Sequence, residues 1–169
     1  MNPRHNPILV LLAVLYLLPL ATRADEPVIE DLTAIDRQYL NNQRASIEDI
    51  VASNYGARIS GDRERDIALL QRVLDERLVR NDQARQLQAM GVILGDLLAA
   101  DLGMHWVVYR DKLGRSHALR YLDSDIYLFP VTMISRRREV GNLTPVAEIY
   151  TDVAQDTRKA LPAKPFTAP

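Results

Sequence analysis

Three titratable side chains in the middle of the 169-residue chain could take part in acid–base chemistry: Asp96, His105 and His117. Asp96 lies within an otherwise apolar segment, and a carboxyl group in such surroundings is suited to act as a general acid or base. A buried carboxylate also needs a partner, which an arginine such as Arg120 or Arg136 would provide. Because structural ion pairs also bury single carboxylates, the preferred prediction is an ion pair. A position at the helix edge, in contact with solvent, is the other structural alternative.

The two histidines flank a predicted β-hairpin, and the hairpin register decides whether they can act together. A bulged turn of three residues ending at Gly114 would place Tyr109 opposite His117 and His105 opposite Tyr121. The histidines would then share one face of the sheet about 13 Å apart, at ~3.3 Å per residue, which is too far to bind one metal ion. The chain also contains no cysteine and no His-x-x-x-His or Glu-x-x-His spacing, so no zinc site is predicted, and no motif indicates another cofactor.

The same register places the single tryptophan, Trp106, opposite Arg120. The two side chains would form a cation–π pair. If that face is open, Trp106 with Arg110 and Arg120 would form a platform for a polysaccharide, a peptide or a protein partner. If the face is covered, Trp106 is a core residue.

The densest basic run is Arg136-Arg137-Arg138. A run of like charges usually forms a solvated face, which is the preferred interpretation. The alternative is a receptor for phosphate or carboxylate, because guanidinium forks match those anions. The candidate binding residues from these arguments are Asp96, His105, Trp106, Arg120, Arg136 and Arg137.

Motifs that would indicate catalysis do not occur in the sequence. There is no Gly-x-Ser-x-Gly, no Ser-x-x-Lys and no glycine-rich phosphate-binding or dinucleotide-binding pattern. We therefore expect a non-catalytic binding or interaction module. The alternatives are a cell-envelope hydrolase that uses Asp96 or His105, and an immunity-type protein that neutralises a periplasmic toxin.

Small residues recur at every fourth position around Asp96, at Gly91, Gly95 and Ala99. They leave one side of a helix almost bare, so another element can approach its backbone closely. Close packing is the preferred prediction. The alternative is a ligand that lies against the exposed backbone.

The elements that must position these residues change from helices to strands near Gly103. Apolar periodicity predicts helical structure from residue 31 to about residue 55, as one bent helix or two with a restart at Ser46. Further helices are predicted after Asp62, over residues 83–101 and after Thr144. Strands are predicted over residues 105–109, 116–121 and 126–129. The fold class is therefore α+β, with helices packed on a three-stranded antiparallel meander.

The amino terminus has the pattern of a secretory signal peptide. Arg4 and His5 precede an apolar run over residues 8–21, and small residues at Thr22 and Ala24 suit signal peptidase. We expect cleavage between Ala24 and Asp25, delivery to the periplasm, a single domain over residues 25–161 and a disordered proline-rich tail over residues 162–169. An uncleaved membrane anchor is the alternative, although the run is shorter than the ~20 residues of a bilayer span.

The charge of the mature chain limits its partners. Without Arg4 and Arg23, 19 of the 21 basic residues remain against 22 acidic ones, a formal charge of −3. Nucleic acid is not an expected partner at that charge. The expected partner is a protein or a cell-envelope ligand, with no stable membrane anchor once the signal is cleaved.

The segment over residues 87–150 resembles a bacterial family of exported proteins that share a domain of unknown function. The motifs that carry the resemblance are Met90-Gly91, Gly95-Asp96, Trp106-Val107-Val108, Gly114-Arg115, Leu128-Phe129-Pro130, Met133-Ile134, Arg136 and Ile149-Tyr150. The resemblance implies a bacterial origin. It implies no catalytic residue and no mechanism.

Overall fold

The computed structural model describes residues 26–162. The expected signal peptide, its cleavage site between Ala24 and Asp25, and all of the expected tail except Pro162 lie outside the described residues. The helices are α1 (Ala34–Tyr55), α2 (Arg63–Asp75), α3 (Ala84–Leu102), α4 (Ser135–Glu139) and α5 (Val146–Ala160), with a 3-10 turn at Pro130–Thr132. The strands are β1 (Val28–Asp31), β2 (Met104–Asp111), β3 (Gly114–Tyr121) and β4 (Tyr127–Leu128).

The four strands form one antiparallel sheet in the order β1-β2-β3-β4, so the α+β class is confirmed. The sequence predicted three strands, and the additional one is β1, which lies where no strand was predicted. Three of its four residues are exposed, so it lacks the apolar alternation by which strands are recognised. No helix within residues 26–162 is long and apolar enough to cross a membrane.

Helix α1 is one continuous helix of 22 residues. It begins at a capping box in which Thr33 is the N-cap and Asp36 bonds back to the Thr33 backbone, and it ends at Gly56 in the left-handed conformation. Of the two alternatives that the sequence left open, the restart at Ser46 does not occur, since the Ser46 hydroxyl donates to the Gln43 carbonyl within the helix. The helix buries a narrow stripe at Asp36, Leu40, Ile47 and Val51.

Helix α3 lies at the centre of the core, with eleven of its nineteen residues buried. A methyl group on Gly91 would lie 2.5 Å from the carbonyl oxygens of Pro130 and Val131. One on Gly95 would lie 2.5 Å from Cζ2 of Trp106. The expectation that these glycines are packing residues is therefore confirmed, and the bare helix face is filled by protein.

The β2–β3 hairpin differs from its expected register by one residue. Asp111 pairs with Gly114 across a two-residue loop, and the Asp111 carboxylate accepts a hydrogen bond from the Leu113 amide. This local bond stabilises the tighter turn, in which Gly114 takes the positive φ and the loop residues Lys112 and Leu113 do not. His105 consequently lies opposite Arg120, and His117 lies opposite Val108.

A shift of one residue moves side chains to the other face of a sheet. His117 lies on the face that packs against α1 and α3, together with Trp106 and Leu119, whereas His105 and Arg120 lie on the outer face. The expected placement of the two histidines on one face is therefore wrong.

Candidate functional site

Asp96 forms an ion pair with an arginine that sequence reasoning did not identify. Its two carboxylate oxygens accept hydrogen bonds from Nε and a terminal nitrogen of Arg44, both at 2.7 Å, and Oδ1 also accepts one from the Trp106 indole at 2.9 Å. The prediction that Asp96 forms an ion pair is confirmed, but the partner is neither Arg120 nor Arg136. The bond to Asp96 raises the pKa of Arg44 above its usual value.

This pair lies at the rim of a groove between α1 and α3, with a volume of about 350 Å³. The other carboxylates of the groove are also engaged. Glu48 accepts a hydrogen bond from the Ile59 amide at 2.8 Å, and the buried Asp66 accepts bonds from the Ser60 and Gly61 amides. These contacts hold the connector between α1 and α2 in place, so we assign the acidic groups of the groove a structural role.

His105 and Arg120 lie on the outer face of the sheet, away from Asp96. His105 is exposed, and Arg120 donates hydrogen bonds to the Ser124 and Asp123 carbonyls at 2.8 and 2.7 Å. The expected pairing of Trp106 with Arg120 is wrong, because Trp106 lies opposite Leu119 on the other face. A binding platform that contains Trp106 and Arg120 together is wrong for the same reason.

The basic run in α4 does not form one solvated face. Arg136 is exposed, Arg137 donates a hydrogen bond to the Met133 carbonyl at 2.7 Å, and Arg138 is only 9% exposed. Successive side chains of a helix point about 100° apart, and α4 packs against α3. One residue of three consecutive arginines is therefore turned toward the core, and the expectation of a solvated run is wrong for Arg138.

A second cleft brings together residues from α1, β3 and the segment around α4. Two of these residues, Arg115 and His117, contact Asp36, which is 3% exposed. Its Oδ1 accepts a hydrogen bond from Arg115 at 2.6 Å and lies 2.9 Å from Nε2 of His117. Its Oδ2 accepts bonds from the amide and the hydroxyl of Thr33 at 2.9 and 2.6 Å.

These contacts determine the charge state of Asp36. Burial raises the pKa of the carboxyl group, but the hydrogen bonds from Thr33, Arg115 and His117 together outweigh burial and hold the pKa well below its usual range. Asp36 is therefore ionised at neutral pH. Since an ionised carboxylate only accepts hydrogen bonds, Nε2 of His117 donates to it.

The walls above Asp36 combine cations with aromatic rings. The Tyr39 ring stacks on the His117 imidazole, with centroids 5.1 Å apart and planes 12° apart. We name this space the cationic cleft, which has a volume of about 300 Å³ and is lined by Tyr39, Arg115, His117, Phe129, Thr132 and Arg136.

Arg136 is the second arginine that lines the cationic cleft. Within residues 26–162 it has no hydrogen bond and no acidic partner. Asp36 does not serve as its acidic partner, because both carboxylate oxygens of Asp36 already accept bonds from Thr33, Arg115 and His117. The arrangement can therefore accept an anion between Arg115 and Arg136. A carboxylate-bound histidine is also the kind of group that transfers protons.

The structure divides the six candidate residues among separate surfaces. Asp96 and Trp106 meet at the groove between α1 and α3, His105 and Arg120 lie on the outer face, Arg137 bonds to backbone, and Arg136 alone lines the cationic cleft.

Sequence reasoning missed Asp36, Tyr39 and Arg115. The Thr33-x-x-Asp36 pattern is a recognisable capping box and would have located Asp36. It would not have revealed contacts to side chains about 80 positions away.

Comparison with known proteins finds a solved structure of similar fold and a matching family model. A crystal structure of a protein from Bacteroides thetaiotaomicron VPI-5482 at 1.50 Å resolution is similar to this chain, with a TM-score of 0.69 and 17% sequence identity. The match covers 77% of this chain and 48% of that one, so this chain spans about half the length of its structural neighbour. At this identity the likeness shows the fold alone. No curated protein matches the chain significantly.

A family model, described as a domain of unknown function (DUF3806), matches residues 66–150. The match begins 21 positions before the segment in which the sequence motifs occur. It includes Arg115, His117 and Arg136 of the cationic cleft but not Asp36 or Tyr39 of α1. Because the matched segment is half of the chain, the protein belongs to the DUF3806 family.

Proposed function

We propose that the protein is an exported, non-catalytic binding module whose cationic cleft captures an anionic ligand. The observation that carries the proposal concerns Arg136, which has no hydrogen bond and no acidic partner within residues 26–162 and lines the same cleft as Arg115 and His117. The carboxylate that contacts Arg115 and His117, Asp36, is already saturated. Guanidinium groups bind carboxylates and phosphates through paired, charge-assisted hydrogen bonds. A cleft of about 300 Å³ is at the lower end of small-molecule sites.

The polar side chains of the cleft are held in place before a ligand arrives. Asp36 fixes Arg115 and His117 through hydrogen bonds, and Tyr39 restrains the His117 ring by stacking. Ordering a long side chain on binding costs about 0.5–1.5 kcal/mol, and a preorganised arginine avoids part of that cost. Binding therefore requires only Arg136 to become ordered.

The non-catalytic part of the proposal rests on the absence of nucleophile motifs in the sequence and on the separation of Asp96 from His105 in the fold. A hydrolase that used either residue would have to act without the other. The Asp36–His117 pair favours proton transfer as a second candidate function. Export rests on the amino-terminal sequence pattern, and the Bacteroides neighbour fits a bacterial periplasm.

The test is an anion-binding screen of the mature chain that includes phosphomonoesters, sulfate and carboxylates. We expect at least one anion to raise the unfolding temperature of the native protein and not that of Arg136→Gln. Arg85→Gln is the matched control, because Arg85 is exposed on α3 and its replacement removes the same charge. A response that is absent from the whole panel, or that is lost equally in Arg85→Gln, would refute anion capture.

Turnover distinguishes the second candidate. Each compound that binds is incubated with the protein and its products are measured. Turnover that disappears in His117→Gln, with the fold intact by circular dichroism, would replace the binding module by an enzyme.

A further inference from the structure

We infer that the ligand of the cationic cleft is an organic monocarboxylate with an apolar or aromatic body, an inference that rests on the proposed function. The cleft has the chemistry of such a molecule at its two ends. Arg115, His117 and Arg136 form a polar end, and the Tyr39 and Phe129 rings flank it, both more than a third exposed.

The charge of the cleft selects a monoanion. Arg115 and Arg136 contribute two positive charges, and the ionised Asp36 cancels one of them. These two arginines and Asp36 together carry one positive charge. A monocarboxylate neutralises it, whereas the dianion of a phosphomonoester would leave an uncompensated negative charge above Asp36.

The exposed rings favour an organic body over a small inorganic ion. Phe129 is 39% exposed and Tyr39 is 37% exposed, and large apolar side chains are stabilised when a ligand removes them from water. Since one water molecule occupies about 30 Å³ of liquid, a cleft of about 300 Å³ accommodates a molecule of roughly ten non-hydrogen atoms. A phenyl group joined to a short carboxylate chain has this size.

The same chemistry occurs in free organic acids and at the carboxyl end of a peptide. The experiment therefore measures binding of 3-phenylpropanoate and of the dipeptide N-acetyl-alanyl-phenylalanine by isothermal titration calorimetry at pH 7. The comparison compounds are 3-phenylpropanamide, acetate and phenyl phosphate. The protein is the mature chain, with Arg136→Gln, Arg136→Lys, Phe129→Ala and the control Arg85→Gln.

We expect at least one of the two aromatic carboxylates to bind, and the amide, which lacks the charge, to bind at least about tenfold more weakly. Arg136→Gln should weaken carboxylate binding by about tenfold or more, Arg136→Lys by less because it keeps the charge, and Arg85→Gln not at all. Phe129→Ala should weaken the aromatic carboxylates while leaving acetate unchanged. The stronger of the two aromatic carboxylates identifies the source of the ligand.

The outcomes separate this inference from the proposed function. Binding of phenyl phosphate that depends on Arg136, without binding of either aromatic carboxylate, would overturn the inference and leave anion capture in place. If acetate binds as tightly as 3-phenylpropanoate, the inference that the ligand has an apolar body would be overturned. No binding of any of these anions would overturn the inference, and a panel with no response to sulfate or to any other anion would overturn anion capture as well.

Discussion

Replacement of Asp36 by alanine should destabilise the protein by about 3–5 kcal/mol, because Asp36 joins a helix start to the hairpin. The variant loses the capping interaction with Thr33, a contribution of about 1 kcal/mol. It also loses the hydrogen bond from His117, whose side chain is 14% exposed, at about 1.5–3 kcal/mol for a bond to a charged group. The Arg115 bond adds less than about 1 kcal/mol, since that side chain is 41% exposed and screened by solvent.

Two further variants separate the local part of this loss from the tertiary part. Thr33→Ala removes the cap but leaves the contacts of Asp36 with Arg115 and His117, so we expect a loss of about 1 kcal/mol. Asp49→Ala removes an exposed acidic residue of the same helix and should change the free energy of unfolding by less than ~0.5 kcal/mol.

The assay is urea unfolding of the mature chain followed by circular dichroism, with the free energy of unfolding taken from the linear dependence on urea. If Asp36→Ala loses no more stability than Thr33→Ala, the bonds to Arg115 and His117 do not stabilise the fold. The argument that Asp36 holds the donors of the cationic cleft in place would then be refuted.

Three other predictions concern acid stability and the packing around α3. Folding lowers the pKa of Asp36, so the stability that its carboxylate contributes is complete above the unfolded pKa of about 3.9 and is lost as the pH falls below that value. Between pH 6 and pH 3 the free energy of urea unfolding should therefore fall less in Asp36→Ala than in the native protein. An equal fall in the two proteins would contradict this assignment. Gly95→Leu should lower the free energy of unfolding by about 3 kcal/mol or prevent folding, because the leucine side chain would overlap Trp106. Ala100→Leu, on the exposed side of α3, should be neutral. Equal thermal melting curves for the two variants would mean that the Gly95 face is open. Arg138→Gln should lower the free energy of urea unfolding by about 1–3 kcal/mol and Arg136→Gln by less than ~0.5 kcal/mol; equal effects would show that α4 does not turn Arg138 inward.

Most of the fold could be predicted from the sequence because helices leave a long periodic signal. The apolar spacing in α2, α3 and α5 extends over three or more turns, and composition changes sharply at Gly103, where α3 ends. Strand β1 has only four residues, three of them exposed, and its partner β2 is about 80 positions away. Its pairing depends on tertiary contacts that no local pattern contains.

The hairpin register could not be predicted because it depends on a small difference between two turns. Gly114 suits the bulge of a three-residue turn, and it also suits the first residue of β3 that pairs with β2 after a two-residue turn. The structure has the two-residue turn, in which the Asp111 carboxylate accepts a bond from the Leu113 amide. This one-residue difference assigns His117 to the cationic cleft and His105 to the outer face.

The partners of Asp96 and Asp36 were unpredictable for a different reason. Arg44 lies in the polar middle of α1, 52 positions from Asp96, in a stretch that resembles a solvated surface. The burial of Asp36 was easier to predict, because Asp36 lies four residues before Leu40 and eleven before Ile47 on the stripe that α1 buries. A carboxylate on the apolar face of a helix requires donors, and that requirement predicts a site before the donors are known.

The glycines of α3 and the cationic cleft depend on each other through the segment that follows β4. Because Gly91 has no side chain, the backbone of Pro130 and Val131 lies directly against α3. The same segment supplies Phe129 and Thr132 to the cleft wall, and α4, which carries Arg136, begins three residues later. A methyl group on Gly91 would lie 2.5 Å from two carbonyl oxygens, so the segment would have to move away from α3 and alter the distance between Arg136 and His117. Small residues that the sequence indicates only as packing positions therefore set the width of the proposed binding site.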